Sequence, residues 1–204
     1  RFRCENVRKH SALDYNSLLA LSFGLLFFFL PHLLRDLQSR NQLKQQRPHF
    51  KTRNGLFSAI SIFGIFLIIW GKSTATFYTV WVPPFDQRYV ASLLMIPACI
   101  IAVSLLISRS YIRWKMKNPL LVSSMLWAAA HLWTNGDLSS ILLFGSFFVW
   151  SLIKLLTLRL EKVNLAPDTF YLRRDLTVVV FGLTIYLTLF VCHGYLFGVG
   201  LATQ

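Results

Sequence analysis

The sequence predicts an all-α membrane protein, a polytopic bundle of about six transmembrane helices in one domain. Hydrophobic residues make up 55% of the 204-residue chain and charged residues only 14%, and the mean hydropathy is +0.53. A soluble domain has about 25% charged residues. The apolar residues also form long runs without the polar face that a soluble helix shows, which is typical of helices in lipid.

Six apolar runs mark the predicted helices. A helix needs about 20 residues to cross a hydrocarbon core of about 30 Å, and the backbone must satisfy its own polar groups there, so each run should be helical. The fourth run is short and would need its ends buried or the bilayer thinned. The runs are residues 18–34, 55–71, 90–107, 119–133, 138–158 and 176–202.

The predicted organisation has a basic N-terminal segment at residues 1–17 and a membrane domain with five helices at residues 18–158. A loop at residues 159–175 and an additional transmembrane helix at residues 176–202 follow. The first residue is Arg, so we expect either a processed chain or a fragment of a longer one. For a processed chain, the basic segment that follows would be what remains after removal of an organellar presequence.

The net charge of +13 would suggest nucleic-acid binding in a soluble protein. Here the basic residues lie almost entirely in the connections between apolar runs, where they set topology and face anionic lipid. We therefore predict a lipid bilayer as the environment and no nucleic-acid partner. The first, third and fifth connections are the basic ones, so the positive-inside rule places both termini on the opposite side of the membrane.

A turn signal, TNGD at residues 134–137, separates the fourth and fifth runs and predicts an antiparallel hairpin. Asn135 and Gly136 would supply the turn, and Asp137 would cap the fifth helix. Gly145 with Ser146 offers a small-residue face on which helices could pack closely.

Two segments carry a family resemblance. Residues 81–108 read WVPPFDQRYVASLLMIPACIIAVSLLIS, and residues 117–150 read KNPLLVSSMLWAAAHLWTNGDLSSILLFGSFFVW. With the pattern LWA-x-AHL-x-x-NGD-L-x-S-x-LLFG-x-F, residues 18–160 resemble the NnrU family of polytopic membrane proteins. The resemblance implies a role connected with nitrite and nitric-oxide metabolism. It also implies a relationship to plant zeta-carotene isomerase, a membrane enzyme whose b-type haem is held by two histidines.

By motif, the haem ligands would fall on His32 in the first helix and on His131 in the AHL element. At about 1.5 Å of rise per residue, His131 is closer in depth to His193 than to His32, so His193 is a rival ligand. The structural alternative for each is a neutral imidazole hydrogen-bonded to a backbone carbonyl or a hydroxyl. We therefore predict that the protein binds either haem b or no cofactor. No other metal site is indicated by the sequence.

For function, we expect an accessory or structural subunit of a larger energy-transducing complex, such as a respiratory complex of the mitochondrial inner membrane, with other membrane subunits as partners. One alternative is a haem-b protein with a redox or nitrogen-oxide role, and another is a carotenoid-type isomerase. A bacterial inner membrane or a plastid membrane is the alternative location. No acid–base pair indicates a hydrolytic enzyme, so we name no catalytic residue.

Overall fold

The computed structural model describes residues 2–42, 51–83, 88–159, 169 and 171–197, which form helices and their connections without a β-strand. The predicted all-α class is confirmed. Most of the predicted loop at residues 159–175 and the end of the last run lie outside the described residues. The helices are α1 (Phe2–Gln42), α2 (Lys51–Thr74), α3 (Arg88–Ser104), α4 (Tyr111–Met116), α5 (Pro119–Thr134), α6 (Leu138–Arg159) and α7 (Leu172–Phe197).

Four of these helices contain segments that are long and apolar enough to cross a membrane. They are Tyr15–Arg35, Gly55–Thr74, Leu138–Thr157 and Leu172–Phe197. With 17 and 16 residues, α3 and α5 are shorter than the roughly 20 residues of a full span. The fold is therefore a helical membrane bundle with at least four candidate spans among the described residues.

The chain divides into two compact units. Unit 1 consists of Arg1–Trp81 with Asp137–Leu143, so it contains α1, α2 and the beginning of α6. Unit 2 consists of Val82–Gly136 with Phe144–Gln204, so it contains α3, α4, α5, the rest of α6, and α7.

In unit 1, α1 packs against α2 through glycines that bring the two backbones together. A Cβ atom at Gly71 would lie 2.5 Å from the Leu21 nitrogen, and one at Gly24 would lie 2.7 Å from the Ile68 nitrogen. A Cβ atom at Gly64 would lie 2.9 Å from the Gly24 carbonyl oxygen. Membrane helices associate through such small-residue contacts, because lipid offers no hydrophobic driving force for association.

In unit 2, α3 packs against both α5 and α7. Gly182 of α7 lies against Ile100 of α3, where an added Cβ would approach the Ile100 Cα to 2.5 Å. On α5, Ala128 and Ala130 are buried. Small residues thus form the closely packed positions in this unit as well.

The connection between α3 and α5 contains a short helix, α4, that the sequence analysis did not predict. Ser110 caps it by accepting a hydrogen bond from the Arg113 N–H at 3.3 Å. Its start is also held by Asp175 in the first turn of α7. The Asp175 carboxylate accepts hydrogen bonds from the Ser110 hydroxyl at 2.7 Å and from the N–H groups of Tyr111 and Ile112 at 3.2 and 3.1 Å.

Candidate functional site

His32 lies in unit 1, within the membrane span of α1. Its Nδ1 is 2.7 Å from the carbonyl oxygen of Phe28, one turn earlier. The imidazole also contacts two phenyl rings, with its centroid 4.8 Å from that of Phe28 and 4.9 Å from that of Phe57 on α2. A hydrogen bond and aromatic neighbours therefore fix the orientation of this ring.

His131 has the same local arrangement in unit 2. Its Nδ1 is 2.9 Å from the carbonyl oxygen of Trp127, again one turn earlier on α5. The ring stacks on Phe144 of α6 with a centroid distance of 4.5 Å and an interplanar angle of 27°. The Asn135 side chain and backbone N–H both donate to the carbonyl of His131 at 2.9 Å. Asn135 thus caps the end of the helix that carries this histidine.

The two hydrogen bonds determine which nitrogen of each ring can bind a metal. A carbonyl oxygen only accepts, so Nδ1 must be the donor in both histidines. In a neutral imidazole, the lone pair then resides on Nε2. Iron-ligating histidines are typically oriented by such a donation from their other nitrogen. The hydrogen bonds agree with the structural alternative of the sequence analysis, and they also suit an axial haem ligand.

The third candidate, His193, lies on α7 and contacts Phe197 with a centroid distance of 5.0 Å. It belongs to the same unit as His131. His32 belongs to the other unit. No group of three His, Cys, Asp or Glu side chains that could hold a metal ion occurs among the residues that the structure describes.

A second polar site, which we call the Lys72 cluster, lies in unit 1 and consists of Lys72, Asp137, Ser139 and Ser140. The Lys72 ammonium donates to the Asp137 carboxylate at 2.9 Å and to the hydroxyls of Ser139 and Ser140 at 2.8 and 2.6 Å. Asp137 also accepts from the Ser140 N–H at 3.0 Å, which confirms the predicted cap of this helix. The cluster joins the end of α2 to the beginning of α6.

Sequence reasoning found Asp137 but missed Lys72. Lys72 lies in a connection between two apolar runs, where basic residues were expected only to set the topology. Its position directly after an apolar run was the available signal, because an ionisable residue at the edge of a membrane helix is a candidate for a specific interaction. The sequence could not supply its partner, which is 65 residues away.

The Lys72 cluster makes stability dependent on pH in the acid range. Burial opposes ionisation of Asp137, but hydrogen bonds from Ser139, Ser140 and Lys72 outweigh it and lower its pKa from 3.8 to about 2. A lowered pKa stabilises the folded state above pH 3.8, and that stabilisation is lost as the pH falls toward 2. We expect a loss of about 2 kcal/mol across this window.

The measurement is thermal unfolding in a nonionic detergent between pH 2 and pH 6. Other carboxyl groups titrate in the same range, so the informative quantity is the difference between the wild type and the Lys72→Met/Asp137→Asn variant. The melting temperature of the wild type should fall more steeply below pH 4. Parallel curves would contradict the prediction.

The comparisons with known proteins yield one family. The NnrU protein family matches residues 20–201, which extends the resemblance beyond residue 160 and includes all of α7. No curated protein and no solved structure matches the chain significantly. The match covers nearly the whole chain, and its region contains the four candidate spans almost completely. The chain is therefore a multi-pass membrane protein that belongs to the NnrU family.

Proposed function

We propose that this protein binds a b-type haem in the membrane and that His131 is one axial ligand. One observation carries the proposal: the imidazole of His131 donates from Nδ1 to the Trp127 carbonyl and is held against Phe144, so its lone pair is on Nε2. His32, which has the same arrangement with Phe28 and Phe57, is the proposed second ligand. His193 is its rival.

Each local feature has a role in such a site. The Nδ1 hydrogen bond increases the basicity of the imidazole and selects the tautomer that can bind iron. The aromatic rings exclude water and hold the imidazole in one orientation. Bound haem would supply one-electron chemistry or the binding of a small gas, depending on whether both axial positions are taken.

The test is spectroscopic and uses the full chain purified in mild detergent and reconstituted with haemin. The wild type should bind about one haem per chain and show a b-type Soret band and α-band after reduction. His131→Ala should lose these bands, and added imidazole should restore them by occupying the vacated position. A wild type that binds no haem would refute the proposal.

Two further variants identify the second ligand. If His32 is the ligand, His32→Ala should convert the low-spin spectrum of two imidazoles to a high-spin spectrum, while His193→Ala should leave it unchanged. The reverse result would assign His193. Melting temperatures within a few degrees of the wild type for both variants would show that the spectra report ligation and not misfolding.

The accessory-subunit hypothesis stays a prediction, as do the mitochondrial inner membrane and its alternatives as locations. The accessory-subunit hypothesis is tested by native gel electrophoresis of the protein isolated from its native membrane. Migration in a large complex at fixed stoichiometry would support a subunit role, and migration as a single chain without partners would contradict it. An isomerase should instead convert an isoprenoid substrate without any partner once haem is bound.

A further inference from the structure

Six basic side chains gather at one end of unit 2, and we call this surface the basic patch. It lies where α7 begins its membrane span at Leu172 and where the chain leaves α3 after Ser104. The segments that carry the patch contain one acidic residue, Asp175. The patch consists of Arg109, Arg113, Lys115, Lys117, Arg173 and Arg174.

Two arginines of the patch, Arg109 and Arg174, are neighbours in the fold. The Arg174 guanidinium lies 5.1 Å from the ring centroid of Tyr171, and its Nη1 donates to the Ser108 carbonyl oxygen at 2.6 Å. Ser108 directly precedes Arg109, so this hydrogen bond places the Arg174 guanidinium beside the segment of the chain that carries Arg109. A hydrogen bond with Thr169 and the positive charges of both arginines lower the pKa of the Tyr171 hydroxyl. Arg109 and Arg174 thus lie close together in the patch.

The nearby acid does not balance this charge through an ion pair within the described part of the chain. Asp175 uses both carboxylate oxygens on the start of α4, where it accepts from the Ser110 hydroxyl and from two backbone N–H groups. A guanidinium has five N–H donors in a planar fork. Arg174 donates hydrogen bonds from one terminal nitrogen to Ser108. These bonds hold its planar guanidinium group in place beside a surface of net positive charge.

The surroundings of the two arginines are apolar as well as basic. The exposed fraction is 84% for Leu106, three residues before Arg109, and 84% for Leu172, two residues before Arg174. Tyr111 is also exposed at the start of α4. Aromatic rings of this kind are enriched at the level of lipid headgroups. A ligand with an anionic head and apolar chains could contact both the arginines and the exposed leucines, whereas a free anion would contact only the arginines.

We propose that Arg109 and Arg174 bind the phosphate of an anionic phospholipid whose acyl chains lie along Leu106 and Leu172. Guanidinium groups recognise phosphate through paired, charge-assisted hydrogen bonds. Basic pockets between membrane helices bind anionic headgroups in the same way. The site is independent of the haem proposal, since none of its residues is a candidate haem ligand.

The experiment measures lipid binding to the full chain after delipidation in detergent, by native mass spectrometry and by thermal unfolding. The probes are phosphatidylglycerol, phosphatidylcholine and inorganic phosphate. The wild type should bind phosphatidylglycerol about tenfold more tightly than phosphatidylcholine, because the choline cation of phosphatidylcholine offsets its phosphate charge and is repelled by the basic patch. Inorganic phosphate at the same concentration should neither bind measurably nor displace the lipid.

A matched pair of double variants separates the site from general attraction. Arg109→Gln/Arg174→Gln should lose the tenfold preference, while Lys115→Gln/Lys117→Gln removes the same charge from the same patch and should change it less than about threefold. Arg109→Lys/Arg174→Lys keeps the charge without the planar fork and should retain only part of the preference.

Several outcomes would overturn the proposal. If the Arg→Gln and Lys→Gln double variants lose the preference for phosphatidylglycerol equally, the lipid is attracted by charge alone. If the wild type binds the two lipids equally, the headgroup charge is not recognised. Displacement of the lipid by inorganic phosphate would identify a general anion site. If the Arg→Gln pair does not fold, the wild-type lipid series and the Arg→Lys pair still decide the question.

Discussion

Replacing Lys72 by Met should destabilise the folded protein by about 3 kcal/mol, because the substitution removes the cation that pairs with a buried carboxylate. The Lys72 ammonium is 2.9 Å from the Asp137 carboxylate, whose side chain is only 4% exposed. Breaking a buried ion pair costs about 3 to 5 kcal/mol. We expect the lower end of that range, since Lys72 itself is 31% exposed and remains partly solvated.

The measurement is the free energy of unfolding in detergent micelles. Lys115→Met is the matched control, because Lys115 is an exposed lysine of α4 and surface substitutions usually change stability by about 0.5 kcal/mol or less. The double variant Lys72→Met/Asp137→Asn should be more stable than Lys72→Met alone, since it leaves no buried charge. An equal loss for both Lys→Met variants would contradict the assignment.

The second large effect is expected at Gly71, where Ala should destabilise the contact between α1 and α2. An added Cβ would lie 2.5 Å from the Leu21 nitrogen and 2.8 Å from the Ser17 carbonyl oxygen. Backbone atoms cannot move aside as the end of a flexible side chain can, so the two helices would have to separate. Overpacking of this kind costs about 1 to 3 kcal/mol, and it outweighs the roughly 0.5 to 1 kcal/mol that Ala normally gains over Gly in a helix.

Two glycines serve as controls for this prediction. At Gly55 of α2 and Gly145 of α6, an added Cβ would meet no heavy atom within 4 Å among the described residues. Gly55→Ala and Gly145→Ala should therefore leave the melting temperature unchanged or raise it, whereas Gly71→Ala should lower it. A stabilising effect of Gly71→Ala would show that α1 and α2 are farther apart than the structure indicates.

These glycines also show how far the sequence determines the fold. Hydropathy alone located the six apolar runs, because the cost of placing polar backbone in lipid leaves few alternatives to a helix. It did not identify the packed faces, since small residues occur throughout membrane helices. Gly145 stands out in the sequence as a small-residue face, yet the close approaches between α1 and α2 are at Gly24, Gly64 and Gly71. Which face of a helix meets its neighbour depends on rotation about the helix axis, which the composition of a run does not encode.

The candidate sites were predictable to a similar degree. Turn chemistry correctly predicted that Asp137 caps a helix, whereas the selection of His131 and His32 by motif stays a prediction. The features that the sequence did not predict are contacts between residues that are far apart in the chain. Lys72 forms an ion pair with Asp137, which lies 65 positions later in the chain. Much of the capping of α4 comes from Asp175, at a similar sequence separation. Short-range patterns contain no information about such pairs, so the sequence alone could not reveal them.

The separation within the Lys72 cluster has a consequence for biosynthesis. Ribosomes extend a chain by about 5 to 20 residues per second, so Asp137 is synthesised roughly 3 to 13 s after Lys72. During that interval the first two helices can already associate through their glycines, while the ammonium at the end of α2 still lacks its carboxylate. The nascent helical pair must therefore keep this charge in water or beside lipid phosphate until the fifth apolar run emerges. Final closure of unit 1 is thus postponed until well after its own two long helices have been made.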